Sequence, residues 1–267
     1  MISKIRSAFF IPLLIFISLP ALAGGTSTDL NLNLKNDWQT VKGDYLSFYS
    51  RDRLLPLGLA FGTGAIFANT HIDEAFQKWY QTDVRSSTTD DIAGGVKNFG
   101  EWQYLIPATF GAAVLDNFID SEQYHSTIGR WGARSARAYI LGTPLLLFTQ
   151  ALTGASRPSE GRGSSWRPFD NTHGVSGHAF VGAIPFLTAA RMSENNRPLR
   201  YLLYAASTLT AISRINDNAH YLSQAALGWF LAWETTGSIA DRDNHNRLAF
   251  SPMPVQDGYG ITVGMRW

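Results

Sequence analysis

Between residues 150 and 224 of this 267-residue chain, three short polar clusters interrupt uncharged, helix-like sequence. They are Arg157-Pro158, Ser176-Gly177-His178, and Ser213-Arg214 followed by His220. An arginine offers five donors in a fork that matches two oxygens of a phosphate. Arg157 and Arg214 can therefore hold the three equatorial oxygens of a phosphoryl group between them. Ser176 stands where a loop enters a helix and is a natural N-cap. The free N–H groups of that first turn form an anion pocket, and Gly177 lets an oxyanion approach the backbone closely. A neutral His220 can attack phosphorus or act as a general base, and the second histidine, His178, when protonated, can donate to the leaving oxygen. Gln224 follows His220 by one helical turn, so its side chain can accept the ring N–H and fix the tautomer. A carboxylate there would also stabilise the imidazolium; glutamine brings no charge.

A metal reading is weaker. His173, His178 and His220 lie near Asp170 and Asp217, but none of the spacings is a zinc signature, and paired arginines repel a cation. No metal and no cofactor is expected.

At these residues the sequence resembles the type 2 phosphatidic acid phosphatase (PAP2) superfamily, with class A acid phosphatases and vanadium haloperoxidases. The family pattern is K-x6-R-P, then P-S-G-H, then S-R-x5-H-x3-D. Here it reads Q-x6-R-P from Gln150 to Pro158, V-S-G-H from Val175 to His178, and S-R-x5-H-x3-Q from Ser213 to Gln224. The resemblance implies that His220 is the nucleophile, oriented by Gln224, and that His178 is the acid for the leaving group. It implies that Gln150, Arg157, Ser176, Gly177 and Arg214 line the phosphate pocket, with no metal. It further implies lipid phosphates as substrates and a helix bundle with the site at one end.

Three positions depart from the pattern: Gln150 for lysine, Val175 for proline and Gln224 for aspartate. A charged hydrogen bond is worth roughly 1.5–3 kcal/mol, so simple loss of both charges lowers the rate on the order of 10² or more. Opposite charges lost together also leave the pocket's net charge unchanged, which would retune the site instead. Asp217 or Asp170 can in principle supply a carboxylate locally. Three readings therefore stand: a lipid phosphatase or pyrophosphatase, a soluble periplasmic acid phosphatase on small esters, and a phosphate- or phospholipid-binding relative with little activity. The missing lysine counts against vanadate-dependent peroxidase chemistry.

The elements that must position these groups read as helices. Apolar or amphipathic runs cover residues 54–70, 71–81, 103–115, 138–156, 177–190, 201–213 and 219–233, the last with Leu222, Ala225, Ala226, Phe230 and Leu231 available for a buried face. The expected architecture is an all-α, PAP2-like bundle of about six main helices. Pro56, Pro107, Pro144 and Pro185 read as breaks that keep most runs below the roughly 20 residues of a membrane span, while the two longest, near Leu54 and Ala138, can span if their ends snorkel. Residues 156–174 are a Gly-, Ser- and Pro-rich loop. Residues 257–267, DGYGITVGMRW, alternate with period two and read as a short terminal strand or hairpin with residues 248–253, packed on the bundle.

Residues 1–23 read as a secretory signal peptide: basic Lys4 and Arg6, an apolar run, and an Ala21-Leu22-Ala23 cleavage site. The expected organisation is then an N-terminal arm at 24–53, with a short amphipathic helix near residues 38–48, a phosphatase domain at 54–240 and a tail at 241–267. The expected location is the periplasmic face of the inner membrane of a Gram-negative-type bacterium, with integral and peripheral attachment both open. The balance of 22 basic to 21 acidic residues gives no basic patch for nucleic acid, and the absence of cysteine excludes disulfides and a thiol nucleophile. Oligomeric state is not legible.

Overall fold

The computed structural model describes the backbone of residues 34–115, 127–245, 248–255 and 258–265, with side chains at 38–114 and 127–244. The expected signal peptide and the start of the arm lie outside the described residues. Contacts divide the chain into Met1–Thr40 and Val41–Trp267. In the first unit only the opening turns of a helix are described.

Among the described residues there are nine α-helices. They are α1 (Leu34–Phe48), α2 (Arg51–Asn69), α3 (Ile72–Trp79), α4 (Ser87–Val96), α5 (Trp102–Leu115), α6 (Thr127–Thr153), α7 (Gly177–Met192), α8 (Arg197–Asn216) and α9 (Leu222–His245). A π-helical turn extends α3 over Tyr80–Val84, and a 3-10 turn, Lys97–Gly100, joins α4 to α5. The bundle is all-α as expected, with nine helices among the described residues where about six main ones are expected. Two β-strands follow it: β1 (Leu248–Val255) and β2 (Gly258–Met265) pair antiparallel, with Leu248 opposite Met265 and Val255 opposite Gly258. Their side chains, and hence the expected packing of that segment on the bundle, lie outside the described residues.

Helix α7 is the axis. It packs against α6, α8 and α9, and its Phe180, Ile184 and Leu187 are fully buried. Leu141 and Leu146 of α6, Leu227, Leu231 and Ile239 of α9, Leu57 of α2 and Phe48 of α1 complete the core around them. On α9 the buried face includes Ala225 and Leu231 but not Ala226, which is exposed.

The prolines do not break the helices. Pro56, Pro107, Pro144 and Pro185 all lie inside continuous ones, so α6 reaches 27 residues. An internal proline strands the carbonyl four residues earlier. Two such carbonyls find tyrosine donors: Tyr139 Oη donates to Val181 O at 2.9 Å, beneath Pro185, and Tyr45 Oη to Ile140 O at 3.1 Å, beneath Pro144. The stretch Thr127–Glu160 is consequently long and apolar enough to cross a membrane by length and composition, though half of its window is buried inside the protein.

One end of the bundle is closed by ions. Arg137 of α6 grips Asp44 of α1 through two 2.7 Å bonds and also meets Asp243 of α9 at 3.0 Å. Arg53, at the start of α2, meets Glu234 at 3.0 Å and also bonds Asp241. Residues 41–53, read from sequence as part of an arm, are thus packed into the bundle.

Candidate active site

At the other end, the three motifs converge. Gln150 is on the last turns of α6, where its Nε2 donates to Val175 O at 2.9 Å. The helix ends at Thr153, and Gly154 turns the chain with φ 58°, a left-handed cap that glycine adopts without steric cost. Arg157 follows, at the entry to a short 3-10 turn, Pro158–Glu160. Ser176 is fully buried and caps α7, its Oγ accepting from Ala179 N at 3.3 Å. Its own backbone N–H donates to Gln224 O at 2.9 Å, tying the start of α7 to α9. Gly228 permits that crossing: a Cβ there would sit 2.2 Å from Ser176 O.

The spacing of the third motif is a backbone device. Helix α8 ends at Asn216, and Asn218 reverses the chain with φ 55°. Ala219 N and His220 N then both donate to Arg214 O, at 2.9 and 3.1 Å. The arginine and the histidine are therefore locked to each other through main chain. His220 stands just before α9, which begins at Leu222, so it does not open that helix as the sequence reading has it.

Gln224 settles the chemistry of His220. Its Oε1 lies 2.9 Å from His220 Nδ1 and accepts Tyr221 N–H at 3.2 Å, while its Nε2 donates to Ser156 O at 2.8 Å. A main-chain N–H needs an oxygen and a main-chain carbonyl needs a donor, so the amide has one orientation. His220 must then donate from Nδ1, which leaves the Nε2 lone pair free. His220 is 4% exposed and Gln224 fully buried. Burial holds His220 far below the usual imidazole range, at about 3; Arg157, Arg214 and His173 push the same way, against the bond to Gln224. The ring is neutral above that value.

The arginines present unpaired donors. Arg214 Nη1 meets Asp217 Oδ2 at 3.3 Å, but the buried Arg214 Nε and Arg157 Nε have no hydrogen-bond partner among the described residues. Both guanidinium groups therefore keep donors available to a bound anion. Asp217 is thus engaged with Arg214, and Asp170 pairs with Arg162, so neither replaces the missing carboxylate behind His220. His178, in the first turn of α7, is lowered by burial and by Arg214, with Arg157 adding to this and Glu101 opposing it.

The sequence reading misses two groups. Glu101 meets His178, and Ser156 supplies the carbonyl that orients Gln224. Neither carries a motif signal. Among the described residues no group of three or more His, Cys, Asp or Glu is placed to hold a metal ion.

Replacing Gln224 by aspartate tests this geometry. A carboxylate favours the imidazolium, so His220 should titrate at higher pH. The Ser156 carbonyl loses its donor, at a cost of about 1–3 kcal/mol. Because the folded value is depressed, the unfolded chain takes up a proton that the folded one refuses between the ordinary range and about 3. Stability therefore falls as pH drops through that window, and the variant should narrow the window. Histidine NMR titration and denaturant melts at several pH values check both effects; an unmoved His220 contradicts the assignment.

Residues 123–241 match the PAP2 superfamily model. Among solved structures, the chain is similar to the first transmembrane PAP2-type phosphatidylglycerolphosphate phosphatase from Bacillus subtilis, at 17% identity and a TM-score of 0.57, over 72% of this chain and 96% of that one. At that identity the likeness speaks to the fold. No curated protein matches.

Proposed function

We propose that this chain, whose residues 123–241 match the PAP2 superfamily model, is a phosphatase that hydrolyses a lipid phosphate monoester or diphosphate at a membrane face through a phosphohistidine. The observation that carries the reading is the buried His220, held by Gln224 as the Nδ1–H tautomer beside two arginines with unpaired Nε groups. In the first step the His220 Nε2 lone pair forms a bond to phosphorus. The ester P–O bond breaks, and protonated His178 gives its proton to the leaving oxygen. In the second step water attacks the phosphohistidine, His178 takes the water's proton, and the P–N bond breaks to release phosphate. Arg157, Arg214 and the first turn of α7 after Ser176 and Gly177 hold the equatorial oxygens, with Gln150 at the pocket wall. The two guanidinium groups supply the positive charge, so the reaction as proposed uses no metal.

The lipid assignment is supported by apolar side chains left exposed on the bundle, among them Leu55, Leu59 and Ile66 on α2 and Tyr201, Leu202 and Ile212 on α8. The substrate of the Bacillus subtilis protein points the same way. The signal-like residues 1–23 support a site on the periplasmic side of the membrane.

Phosphate release from a panel of lipid and soluble phosphates, in detergent and chelator, tests it. Release that survives chelator and prefers lipid substrates is expected; preference for small soluble esters would move the enzyme to the periplasm proper. A second reading, a phosphate- or phospholipid-binding protein without turnover, is favoured by one observation: glutamine stands at both charged motif positions. Folded protein that binds phosphate or vanadate and releases nothing would decide for it.

A further inference from the structure

Resting on the phosphatase reading, the geometry points to Glu101 as the positioning carboxylate of His178, orienting its ring and stabilising the imidazolium that donates to the leaving oxygen. Glu101 Oε1 lies 3.5 Å from His178 Nε2, and the two side chains are similarly half-buried, at 28% and 29% exposure. The separation is that of a contact that tightens once the ring is charged, as catalytic contacts without substrate often do. An imidazolium has two N–H groups. With Nε2 facing the carboxylate, the other remains for the leaving oxygen.

The fold delivers Glu101 there by close backbone packing. The 3-10 turn Lys97–Gly100 lies across the crossing of α7 and α8. A Cβ on Gly100 would come within 3.1 Å of both Cβ and O of His178 and 2.6 Å of Thr210 Cγ2. A Cβ on Gly182, one turn further along α7, would come within 2.7 Å of Phe99 O and 2.4 Å of Thr210 Oγ1. Two positions without side chains thus seat the turn directly on the first turns of α7. Glu101, the next residue, starts α5 through its carbonyl, which accepts from Tyr104 N and Leu105 N. An acidic residue before a helix ordinarily serves the helix dipole; here the side chain reaches across to another helix instead.

The charged groups acting on His178 are Glu101 from the start of α5, Arg214 from α8 and Arg157 from the loop after α6. Two are cations that disfavour the imidazolium, and Glu101 is the carboxylate that opposes them. The carboxylate that this chain lacks behind its nucleophile is thus present beside its acid.

The test separates leaving groups. An alkyl phosphate needs a proton on its departing oxygen, whereas p-nitrophenolate leaves without one. Wild type, Glu101→Gln and Glu101→Asp, each full-length and in detergent, are assayed on both across pH. Glu101→Gln should lower kcat/KM for the alkyl phosphate roughly tenfold or more near neutrality and move the alkaline limb of its profile to lower pH. It should change kcat/KM for p-nitrophenyl phosphate, which reports only the first step and needs no acid there, by no more than about threefold. Glu101→Asp should recover part of the loss. Equal losses on both substrates, or an unmoved limb, would overturn the assignment while leaving the phosphatase reading intact. Wild type inactive on both would sink that reading instead. In that event NMR titration of His178 still decides the contact: a lower titration in Glu101→Gln supports it, and an unchanged one overturns it.

Discussion

His220→Ala is expected to reduce phosphate release by ~10³-fold or more, to background in a standard assay. The substitution removes the only group placed to bond phosphorus in the proposed first step, and its effect should be chemical and not structural. Gln224 keeps two of its anchors, Tyr221 N–H and the Ser156 carbonyl, and the backbone bond of residue 220 to Arg214 O does not need the ring. The arginines are untouched. The variant should therefore melt near the wild type and bind inorganic phosphate, which the arginines hold without a bond to the ring, with an affinity within a few-fold of it. Loss of turnover with binding retained is the expected pair of results; loss of both would mean that the ring is a structural support.

Arg214→Ala and Arg157→Ala should each cost ~10²–10³-fold in kcat/KM, the range seen when a preorganised donor to developing charge is removed. For Arg214 the interpretation is clean, because the main-chain carbonyl that anchors Ala219 and His220 survives truncation of the side chain. What disappears is the guanidinium, whose Nε is buried and open. Arg214→Lys should restore little, since a point charge cannot reproduce a fork aimed at two oxygens. Unlike His220→Ala, both arginine variants should also lose phosphate binding. Kinetics and an equilibrium binding assay on the same samples separate the two classes. An arginine variant that binds and turns over normally would remove that residue from the site.

How far these residues could be read from sequence follows from how they interact. Ser176 as an N-cap and the reach of Gln224 to His220 are local relations, set within a few residues by backbone geometry. The Arg214–His220 spacing is local too, though the structure gives its reason as two bonds to one carbonyl. Glu101 is invisible because it meets His178 from 77 positions away in the chain, through a turn seated on glycines that carry no chemical signal. The partner that fixes the Gln224 amide, Ser156, is a carbonyl, which any residue would supply. The prolines misled for a similar reason. Sequence shows the carbonyl that a proline strands but not the tyrosine, on another helix, that satisfies it. The ionic end that draws residues 41–53 into the bundle rests on pairs such as Asp44 and Arg137, far apart in the chain and ordinary in composition.

The central claim is covalent: phosphate passes through His220. Brief reaction with a ³²P-labelled monophosphate, quenched in alkali, tests it most directly, because phosphohistidine survives base and is lost in acid. The account predicts an alkali-stable, acid-labile label on the peptide containing His220, absent from His220→Ala and accumulating if the second step is slow. Steady phosphate release with no label on that peptide, and persisting in His220→Ala, would contradict it.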